Sequence, residues 1–520
     1  MSRSARRPAR RIPWRGPALV LALFGWCLLL RAPTFLRSVL DWDETLYFIV
    51  ADQWLQGHLP YVGVWDRKPV GIFAALAAGF AALGSNIFAL RMLAVLATFA
   101  SSVLLYLIGA RLLGSRRGGA VVAISYSIFS LMPGGLATNT EIFFVPADLA
   151  GLLVLIDLWS RPRSGARRAA MLGLAGLAFG IAFQFKFVAA AESALFVLAY
   201  FVAGRFRPLG GAPAARLSAL PTLGAGFLAP SALAGAYFAA HGAWSEYVHA
   251  NFGANLRLFE THERSSQLWA RIAADLAAGA GTWLWWVLPI LLVAALSAIL
   301  PPPAGAEERS PRGLAYFLGA WSVAALVGIS ATLRFYTHSF VALIPVCCLL
   351  FGLAVARLGL LEGSRMRLGA AVALPCALAI MRISDSAYVP WLRDFENGNA
   401  NMYERAAAHL RSRLRPGETV FVVNDQPVLY MLTRVTPPTR YVFPKHLFDD
   451  FGAAYAGIDR GAEIRRVMNG RPAYITIQDG DGVIERDMRA TIAPEYQEEI
   501  RFDSLVLYRW CGGPCGSRGP

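Results

Sequence analysis

Long runs of apolar residues, separated by short polar stretches, dominate the first three quarters of the chain. A helix needs about 20 mainly apolar residues to cross a bilayer. Runs of this kind begin at eleven positions, namely Pro17, Ile87, Gly119, Glu141, Ala169, Phe187, Leu217, Gly279, Leu314, His338 and Leu368. The pattern therefore predicts a multi-pass α-helical membrane protein with about eleven transmembrane helices. The Ala/Gly-rich run 70–83 is shorter, and we interpret it as an interfacial or re-entrant segment, or else as a twelfth span.

Arginine residues are concentrated in alternate loops between the apolar runs. They occupy the N-terminal tail and the segments 111–118, 161–168, 205–216, 301–312 and 357–367. Cytoplasmic loops carry the excess of Lys and Arg in membrane proteins, so we expect the N-terminus in the cytoplasm of a bacterial cell with an inner membrane. With eleven spans, the C-terminal part then lies in the periplasm. Two long loops, 34–70 and 241–275, face the same side.

From residue 385 onward the composition becomes that of a water-soluble domain. Short β-branched and aromatic runs predict strands at 419–423, 473–477 and 505–509. Amphipathic stretches predict helices at 400–413, 426–432 and 464–469. Strands that alternate with helices are typical of a small α/β domain. We therefore divide the chain into a transmembrane domain, 1–384, which includes the outer loop 34–70, and a periplasmic α/β domain, 385–520.

Composition supports the membrane interpretation and argues against nucleic acid as a partner. Only 16% of the 520 residues are charged, against about 25% in soluble domains. The formal net charge of +15 comes from the loop arginines, without a basic stripe interleaved with aromatic residues. Of the six cysteines, Cys511 and Cys515 lie in a Gly-rich tail on the oxidising side and could form a disulfide. The oligomeric state is left open.

Charged residues are concentrated in the first outer loop. Asp43, Glu44 and Asp66 occur there among aromatic residues, and Arg67 and Lys68 follow directly. A carboxylate within hydrogen-bond reach of a substrate proton can act as a general base. Guanidinium and ammonium groups bind phosphate oxygens strongly. The alternative is a hydrated loop without a catalytic role.

The stretch from Asp41 to Gly71 resembles the first outer loop of the lipid-dependent glycosyltransferases of the GT-C fold. This superfamily includes the dolichyl-phosphate-mannose protein mannosyltransferases and the bacterial aminoarabinose transferase. The resemblance lies in an ordered set of residues, which comprises Asp43-Glu44, Tyr47, Pro60-Tyr61, Trp65-Asp66 and Lys68-Pro69. Three further elements match, and they contain Asn139 and Glu141, then Gly180, Gln184 and Lys186, and last Arg334, Tyr336 and His338. The resemblance covers about residues 15 to 380.

The resemblance implies an inverting sugar transfer from a polyprenyl-phosphate donor in the surrounding membrane lipids. Asp43, with Glu44 beside it, would be the catalytic base that deprotonates an acceptor hydroxyl. The residues implied in binding the lipid phosphate are Arg67, Lys68, Lys186, Arg334, Tyr336 and His338. Those implied in lining the substrate cavity are Tyr47, Tyr61, Asp66, Asn139 and Glu141. No cofactor is certain. A divalent metal is possible, with Asp66, Glu141, His249 and His262 as candidate ligands. The donor sugar and the acceptor, which could be lipid, glycan or protein, stay open.

Three other functions compete with this interpretation. A transporter or lipid flippase would carry ionisable residues within its spans, and Asp148, Asp157 and Glu192 are candidates. A scaffold without activity is the second alternative, and a transferase of whole oligosaccharides is the third. The sequence also departs from the family pattern, since Val70 follows Pro69 and Ser339 follows His338. These departures bear on the identity of donor and acceptor.

Overall fold

The backbone of the protein forms two compact units. The structure, a computed structural model, describes residues 16–161, 163–202, 217–257, 268–301, 312–331, 333–480 and 482–515. The first unit contains Met1–Ala32, Met92–Ala234 and Ala270–Tyr388, and the second contains Pro33–Arg91, Gly235–Trp269 and Val389–Pro520. Contacts thus group both long loops with the C-terminal residues, whereas the predicted boundary after residue 384 follows the order of the chain.

The described residues contain twenty-one α-helices and four strands. In chain order, the helices are α1 (Gly16–Arg31), α2 (Trp42–Leu55), α3 (Gly71–Leu83), α4 (Ile87–Leu112), α5 (Arg116–Phe129), α6 (Thr140–Ser160), α7 (Gly165–Phe185), α8 (Ala190–Val202), α9 (Leu220–Ala240), α10 (Trp244–Val248), α11 (Leu268–Ile299), α12 (Arg312–Ser330), α13 (Ile344–Arg357), α14 (Arg365–Ile383), α15 (Val389–Glu396), α16 (Met402–Arg413), α17 (Val428–Thr433), α18 (Pro444–Phe448), α19 (Asp450–Ala456), α20 (Arg460–Asn469) and α21 (Val483–Ile492). The strands are β1 (Val420–Val422), β2 (Tyr474–Gln478), β3 (Tyr496–Phe502) and β4 (Leu505–Trp510).

Nine helical segments in the described part of the chain are long and apolar enough to cross a membrane. They are Pro17–Leu36, Ile87–Leu112, Thr140–Ser160, Gly165–Phe185, Leu220–Ala240, Ile272–Ile299, Gly313–Ser330, Thr337–Arg357 and Arg365–Glu396. The multi-pass helical class is therefore confirmed, whereas the count of eleven stays a prediction. The two predicted spans beyond these nine correspond to α5, with 14 residues, and to the apolar helix Phe187–Val202.

Glycine residues allow two helices of the first unit to approach closely. A Cβ atom added at Gly176 of α7 would meet the carbonyl oxygen of Leu223 in α9, and one at Gly180 would meet that of Phe227. The converse holds for Gly226 of α9, where a Cβ would meet the carbonyl oxygen of Gly173. Small residues at four-residue spacing are the usual device for close packing of membrane helices. Close packing of α7 against α9 therefore depends on these glycines as well as on the apolar side chains of the two helices.

The second unit contains a four-stranded sheet in the order β1-β2-β4-β3. Strands β1 and β2 are parallel, and β4 runs antiparallel to both of its neighbours. The predicted α/β domain is thus confirmed, and its three predicted strands correspond to β1, β2 and β4. Strand β3 was not predicted, because its sequence YQEEIRF is largely polar. It is an edge strand with several exposed side chains, so it needs little apolar sequence.

We predict that Gly176→Val destabilises the protein by ~1–3 kcal/mol, because the added side chain must push α7 away from the backbone of α9. Gly224→Val is the matched control, since a Cβ added at Gly224 on α9 meets nothing within 4 Å. Thermal unfolding of both purified variants in one detergent measures the difference. Equal melting temperatures for the two variants would contradict the packing argument.

Candidate active site

A carboxylate, a phenol and an ammonium group meet in the first long loop. Asp43 lies in the first turn of α2, and Tyr47 follows one turn later on the same face. The Tyr47 hydroxyl donates a hydrogen bond to Asp43 Oδ2 at 3.0 Å. Lys68 Nζ donates to Asp43 Oδ2 at 3.0 Å and to the Tyr47 oxygen at 2.7 Å. We call Asp43, Tyr47 and Lys68 the Asp43 cluster.

The Asp43 cluster is only partly covered. The side chain of Asp43 is 23% exposed and that of Lys68 is 14% exposed, so both can be reached from outside. Tyr47 is buried, and its ring contacts Phe73 at the start of α3. The hydroxyl of Tyr61 donates to the carbonyl oxygen of Lys68 at 2.9 Å, which fixes the backbone from which the lysine extends. The cluster therefore combines a fixed frame with an accessible carboxylate.

Glu44, the neighbour of Asp43, has an entirely different environment. Its side chain is 1% exposed and forms a bidentate ion pair with Arg91 of α4, at 2.5 and 2.8 Å. The backbone nitrogen of Leu40 donates to the same carboxylate at 2.7 Å. Arg91 also donates to the carbonyl oxygens of Thr34 and Arg37 at 3.2 and 3.1 Å. This ion pair thus closes the loop that leads into α2.

Asp66 is buried close to the Asp43 cluster. One carboxylate oxygen accepts a hydrogen bond from the backbone nitrogen of Arg67 at 2.7 Å, and Oδ2 has no hydrogen-bond partner among the described residues. Burial raises the pKa of Asp66 from 3.8 to about 6, and the negative charge of Asp43 contributes, although Lys68 and Arg67 oppose the rise. Asp66 therefore changes its charge near neutral pH beside the candidate base.

Arg67 connects the two long loops with the C-terminal residues of the second unit. Its guanidinium donates to Asn255 Oδ1 at 2.9 Å and lies 5.7 Å from the ring centre of Tyr455. Trp65 also contacts the C-terminal residues, since its backbone nitrogen donates to the carbonyl oxygen of Arg440 at 2.8 Å. Its ring lies edge-to-face against His446 at 4.7 Å. The loop residues before Lys68 are therefore held by α18, α19 and the segment that precedes them.

A second cluster of predicted residues lies in the first unit. Glu141, in the first turn of α6, forms an ion pair with Lys186 and accepts a hydrogen bond from Thr140 at 3.1 Å. His338 Nε2 lies 3.9 Å from the same carboxylate, and Lys186 reaches Ser339 at 3.5 Å. Three of the predicted residues thus meet around one carboxylate, and we call Glu141, Lys186 and His338 the Glu141 cluster.

The other predicted residues of the first unit lie beside the Glu141 cluster. Arg334 donates to the Tyr336 hydroxyl at 2.6 Å, and the ring of Tyr336 lies 5.5 Å from that of His338. Asn139 is 1% exposed, and neither its amide nitrogen nor its amide oxygen has a partner among the described residues. A Cβ added at Gly134 would meet the backbone of His338 at 2.7 Å, so this turn requires glycine.

The candidate metal ligands do not form a metal site in the part of the chain that the structure describes. No group of three or more His, Cys, Asp or Glu side chains there could hold an ion. His249 contacts the carbonyl oxygen of Ala456 at 3.1 Å, and burial together with Arg257 and Arg440 lowers its pKa. Surrounding arginines disfavour a cation at that position. His262 lies outside the described residues.

Two residues near Asp43 were not singled out from the sequence. Arg91 lies in the first turns of an apolar helix, where a charge needs a buried partner. Its position in the sequence could therefore have indicated a buried ion pair. His446 is 98% buried, and burial together with Arg67 lowers its pKa to about 3, although Asp43 opposes the shift. Its position against Trp65 depends on the fold of the C-terminal residues, which no local pattern indicates.

Known proteins resemble this chain in sequence. Residues 67–220 match the family described as dolichyl-phosphate-mannose-protein mannosyltransferase. An undecaprenyl phosphate-alpha-4-amino-4-deoxy-L-arabinose arabinosyl transferase of Pseudomonas aeruginosa is 30% identical over 73% of this chain and 66% of its own length. The enzyme of the same name from Pseudomonas paraeruginosa is 30% identical over 73% of this chain and 67% of its own length. The chain belongs to the lipid-dependent glycosyltransferases of the GT-C fold. It spans about two thirds of the length of these relatives.

A solved structure shows the same GT-C fold. The crystal structure of ArnT from Cupriavidus metallidurans bound to undecaprenyl phosphate is similar with a TM-score of 0.61, over 97% of this chain and 99% of that one. At 14% identity, this similarity establishes the fold. Together with the nine apolar helices among the described residues, membership of this family identifies a multi-pass protein of the inner membrane.

For this GT-C chain we predict that Glu44→Leu and Arg91→Leu each destabilise the protein by ~3–5 kcal/mol, because each leaves one buried charge unpaired. The double variant Glu44→Leu/Arg91→Leu is expected to recover most of that loss, since it removes both charges. Thermal unfolding of the three purified variants measures the coupling. Losses that simply add in the double variant would contradict a direct pair.

We further predict that Asp66→Asn removes part of the pH dependence of stability. The folded state raises the pKa of Asp66, so it favours the protonated carboxyl. This contribution is complete below about pH 4 and is lost as the pH rises through about 6. A rise in pKa from 3.8 to about 6 corresponds to ~3 kcal/mol. The wild type should therefore lose stability relative to Asp66→Asn between pH 4 and pH 6.

Melting temperatures from pH 4 to pH 8 measure the effect of Asp66→Asn. The exposed acid Asp450, whose side chain is 91% exposed, supplies the control variant Asp450→Asn. Parallel curves for wild type and Asp66→Asn would mean that Asp66 keeps an ordinary pKa.

Proposed function

We propose that the protein is an inverting glycosyltransferase that moves a sugar from a polyprenyl-phosphate donor to a hydroxyl group of an acceptor at the periplasmic face of the inner membrane. The observation that carries the proposal is the Asp43 carboxylate, which lies 3.0 Å from both Lys68 Nζ and the Tyr47 hydroxyl and is partly exposed. The relatives are named as transferases that use undecaprenyl-phosphate aminoarabinose, and this supports a polyprenyl-phosphate sugar as the donor.

The proposed reaction is a single displacement at the anomeric carbon. Asp43 accepts the proton of the acceptor hydroxyl, and the acceptor oxygen forms a bond to the anomeric carbon. The bond between that carbon and the phosphate oxygen breaks on the opposite face, and the lipid phosphate leaves with the bonding electrons. The proton ends on Asp43, the sugar ends on the acceptor with inverted configuration, and no oxidant or reductant is required.

Lys68 has two roles in this proposal. Before the donor binds, its ammonium group stabilises the Asp43 carboxylate and holds it in place. A phosphate is a competing anion for the same ammonium group, and charge-assisted hydrogen bonds to phosphate are strong. Transfer of Lys68 from the carboxylate to the donor phosphate then leaves Asp43 to accept a proton. Tyr47, which contacts both groups, keeps the carboxylate oriented during this exchange.

Glu44 acts through Asp43 as a positioning residue in this proposal. Its bidentate pairing with Arg91 fixes the start of α2, and its side chain is too deeply buried to meet a substrate. Lys186 and Arg334 of the first unit are cations of the kind that stabilise a leaving phosphate, and we propose both as phosphate-binding residues. Tyr336 and His338 orient these groups through their ring contact.

We also propose that the N-terminus is cytoplasmic and that residues 385–520 form a periplasmic domain. The arginine-rich loops support the first statement through the positive-inside rule. The disulfide between Cys511 and Cys515 supports the second, since such bonds persist in oxidising compartments. Family membership and the accessible Asp43 cluster favour a transferase over a transporter. The buried acids Asp148 and Glu192 accept hydrogen bonds from Ser193 and Trp321, and Asp148 Oδ2 has no hydrogen-bond partner among the described residues.

The proposal predicts that Asp43→Asn lowers sugar transfer by ~10²–10⁴-fold, because an amide cannot accept the proton. The measurement is transfer of radiolabelled sugar from undecaprenyl-phosphate aminoarabinose, and from a panel of other polyprenyl-phosphate sugars, to membrane acceptors. Asp450→Asn, which changes an exposed acid, should retain wild-type activity. Binding of undecaprenyl phosphate should persist in both variants. If Asp43→Asn transfers sugar as fast as the wild type, Asp43 is not the base.

A further inference from the structure

An open groove in the second unit has no role in the proposed chemistry. Its volume is about 600 Å³, which falls within the range of ~300–1,000 Å³ that is usual for small-ligand sites. One wall is the turn Val62-Gly63 of the first long loop. The other walls come from residues 437–441, which precede α18, and from residues 457–466, which include the start of α20.

The charges of this groove balance. Its cations are Arg440 and Arg466, and its anions are Asp459 and Glu463. Arg466 donates two hydrogen bonds to Glu463, at 2.9 and 2.6 Å, and Thr439 donates another at 2.5 Å. These hydrogen bonds lower the pKa of Glu463, so the carboxylate stays ionised and continues to neutralise Arg466. A groove without excess positive charge has no preference for a phosphate or another anion.

The groove contains both hydrogen-bond donors and hydrogen-bond acceptors. Arg466 also donates to the carbonyl oxygen of Pro438 at 3.0 Å, and Arg440 donates to the Tyr441 hydroxyl at 2.8 Å. A sugar hydroxyl is both a donor and an acceptor, so guanidinium and carboxylate groups side by side satisfy both of its capacities. Pro437 and Ile458 add apolar surface for the C–H faces of a sugar ring. The chemistry of the groove thus fits an uncharged saccharide.

The turn that forms one wall of the groove is linked to the Asp43 cluster. Tyr61, which precedes Val62, hydrogen-bonds the carbonyl oxygen of Lys68. The backbone nitrogen of Tyr61 also donates to the carbonyl oxygen of Val64 at 2.8 Å, which closes the turn. Trp65 donates to the carbonyl oxygen of Arg440 in the opposite wall. A molecule in the groove therefore touches the short segment that supports the lysine partner of Asp43.

We propose that this groove binds an uncharged saccharide portion of the acceptor. The inference rests on the proposed transferase function and deepens it, because it assigns a chemical class to the substrate that receives the sugar. The acceptor saccharide lies against Val62-Gly63 on one side and against the start of α20 on the other. Its binding stabilises the turn whose Tyr61 hydroxyl donates to the carbonyl oxygen of Lys68, and so fixes the backbone from which the Lys68 side chain extends.

Binding is tested by saturation-transfer NMR on the full chain in nanodiscs, with Ala462→Trp as the blocking variant. Ala462 is an exposed residue of the groove wall, so tryptophan there fills the groove. Arg465→Trp is the matched control, since Arg465 is exposed on the same helix and does not line the groove. The probes are the neutral disaccharides maltose, cellobiose and N,N′-diacetylchitobiose, the anionic sugar glucose 6-phosphate, and a neutral peptide rich in Ser and Thr.

We expect at least one neutral disaccharide to bind to the wild type and to Arg465→Trp, with at least tenfold weaker binding to Ala462→Trp. Melting temperatures establish that both tryptophan variants are folded. Three outcomes overturn the inference, namely tighter binding of glucose 6-phosphate, binding of the peptide alone, and equal binding to both tryptophan variants. Absence of binding by all three disaccharides also overturns it. Because the readout is binding, it is independent of transfer by Asp43, so failure of the groove and failure of the transferase proposal are distinguishable.

Discussion

The buried ion pair between Glu44 and Arg91 is the constraint on which the arrangement around Asp43 depends. Two opposite charges with side-chain exposure near zero remain stable only if each satisfies the other, and here the guanidinium contacts both carboxylate oxygens. Arg91 also donates to the carbonyl oxygens of Thr34 and Arg37, at the start of the long loop. One side chain thus fixes both the entry of the loop and the first turn of α2. Asp43 occupies that turn, so its position follows from the ion pair of its buried neighbour Glu44.

The C-terminal residues of the second unit supply the other half of the frame. Trp42 immediately precedes Asp43, and its ring lies 5.7 Å from Phe443 and 5.8 Å from Lys445 Nζ. Trp65 lies three residues before Lys68 and is surrounded by His446 and other aromatic rings. Both members of the Asp43–Lys68 pair are therefore flanked by a tryptophan that contacts α18 or the residue before it. Such a frame gives the C-terminal residues of the second unit a structural role beside the Asp43 cluster.

The sequence predicted the class of the protein better than the details of its site. Apolar runs are long and unambiguous, so nine of the predicted spans reappear among the described residues, and the ordered loop motif identified the family. The pairing of acidic with basic side chains was harder to predict, because it depends on contacts between residues that lie far apart in the sequence. Glu44 and Asp43 are adjacent in the chain and look equivalent, yet one meets Arg91 from α4 and the other meets Lys68. The polar edge strand β3 was not predicted for a related reason. Its pairing with β4, rather than its own sequence, makes it a strand.

Exposure separates the two neighbouring acids into different roles. The side chain of Asp43 is 23% exposed and contacts the flexible Lys68 as well as Tyr47, whereas that of Glu44 is 1% exposed and is held by a rigid bidentate guanidinium. A base must exchange its partner for a substrate, and that exchange costs little at a partly exposed carboxylate that pairs with a flexible ammonium group. The same exchange at Glu44 would leave a buried charge without compensation. In the proposed mechanism the two acids therefore have separate roles: burial fixes Glu44, and Asp43 accepts the proton.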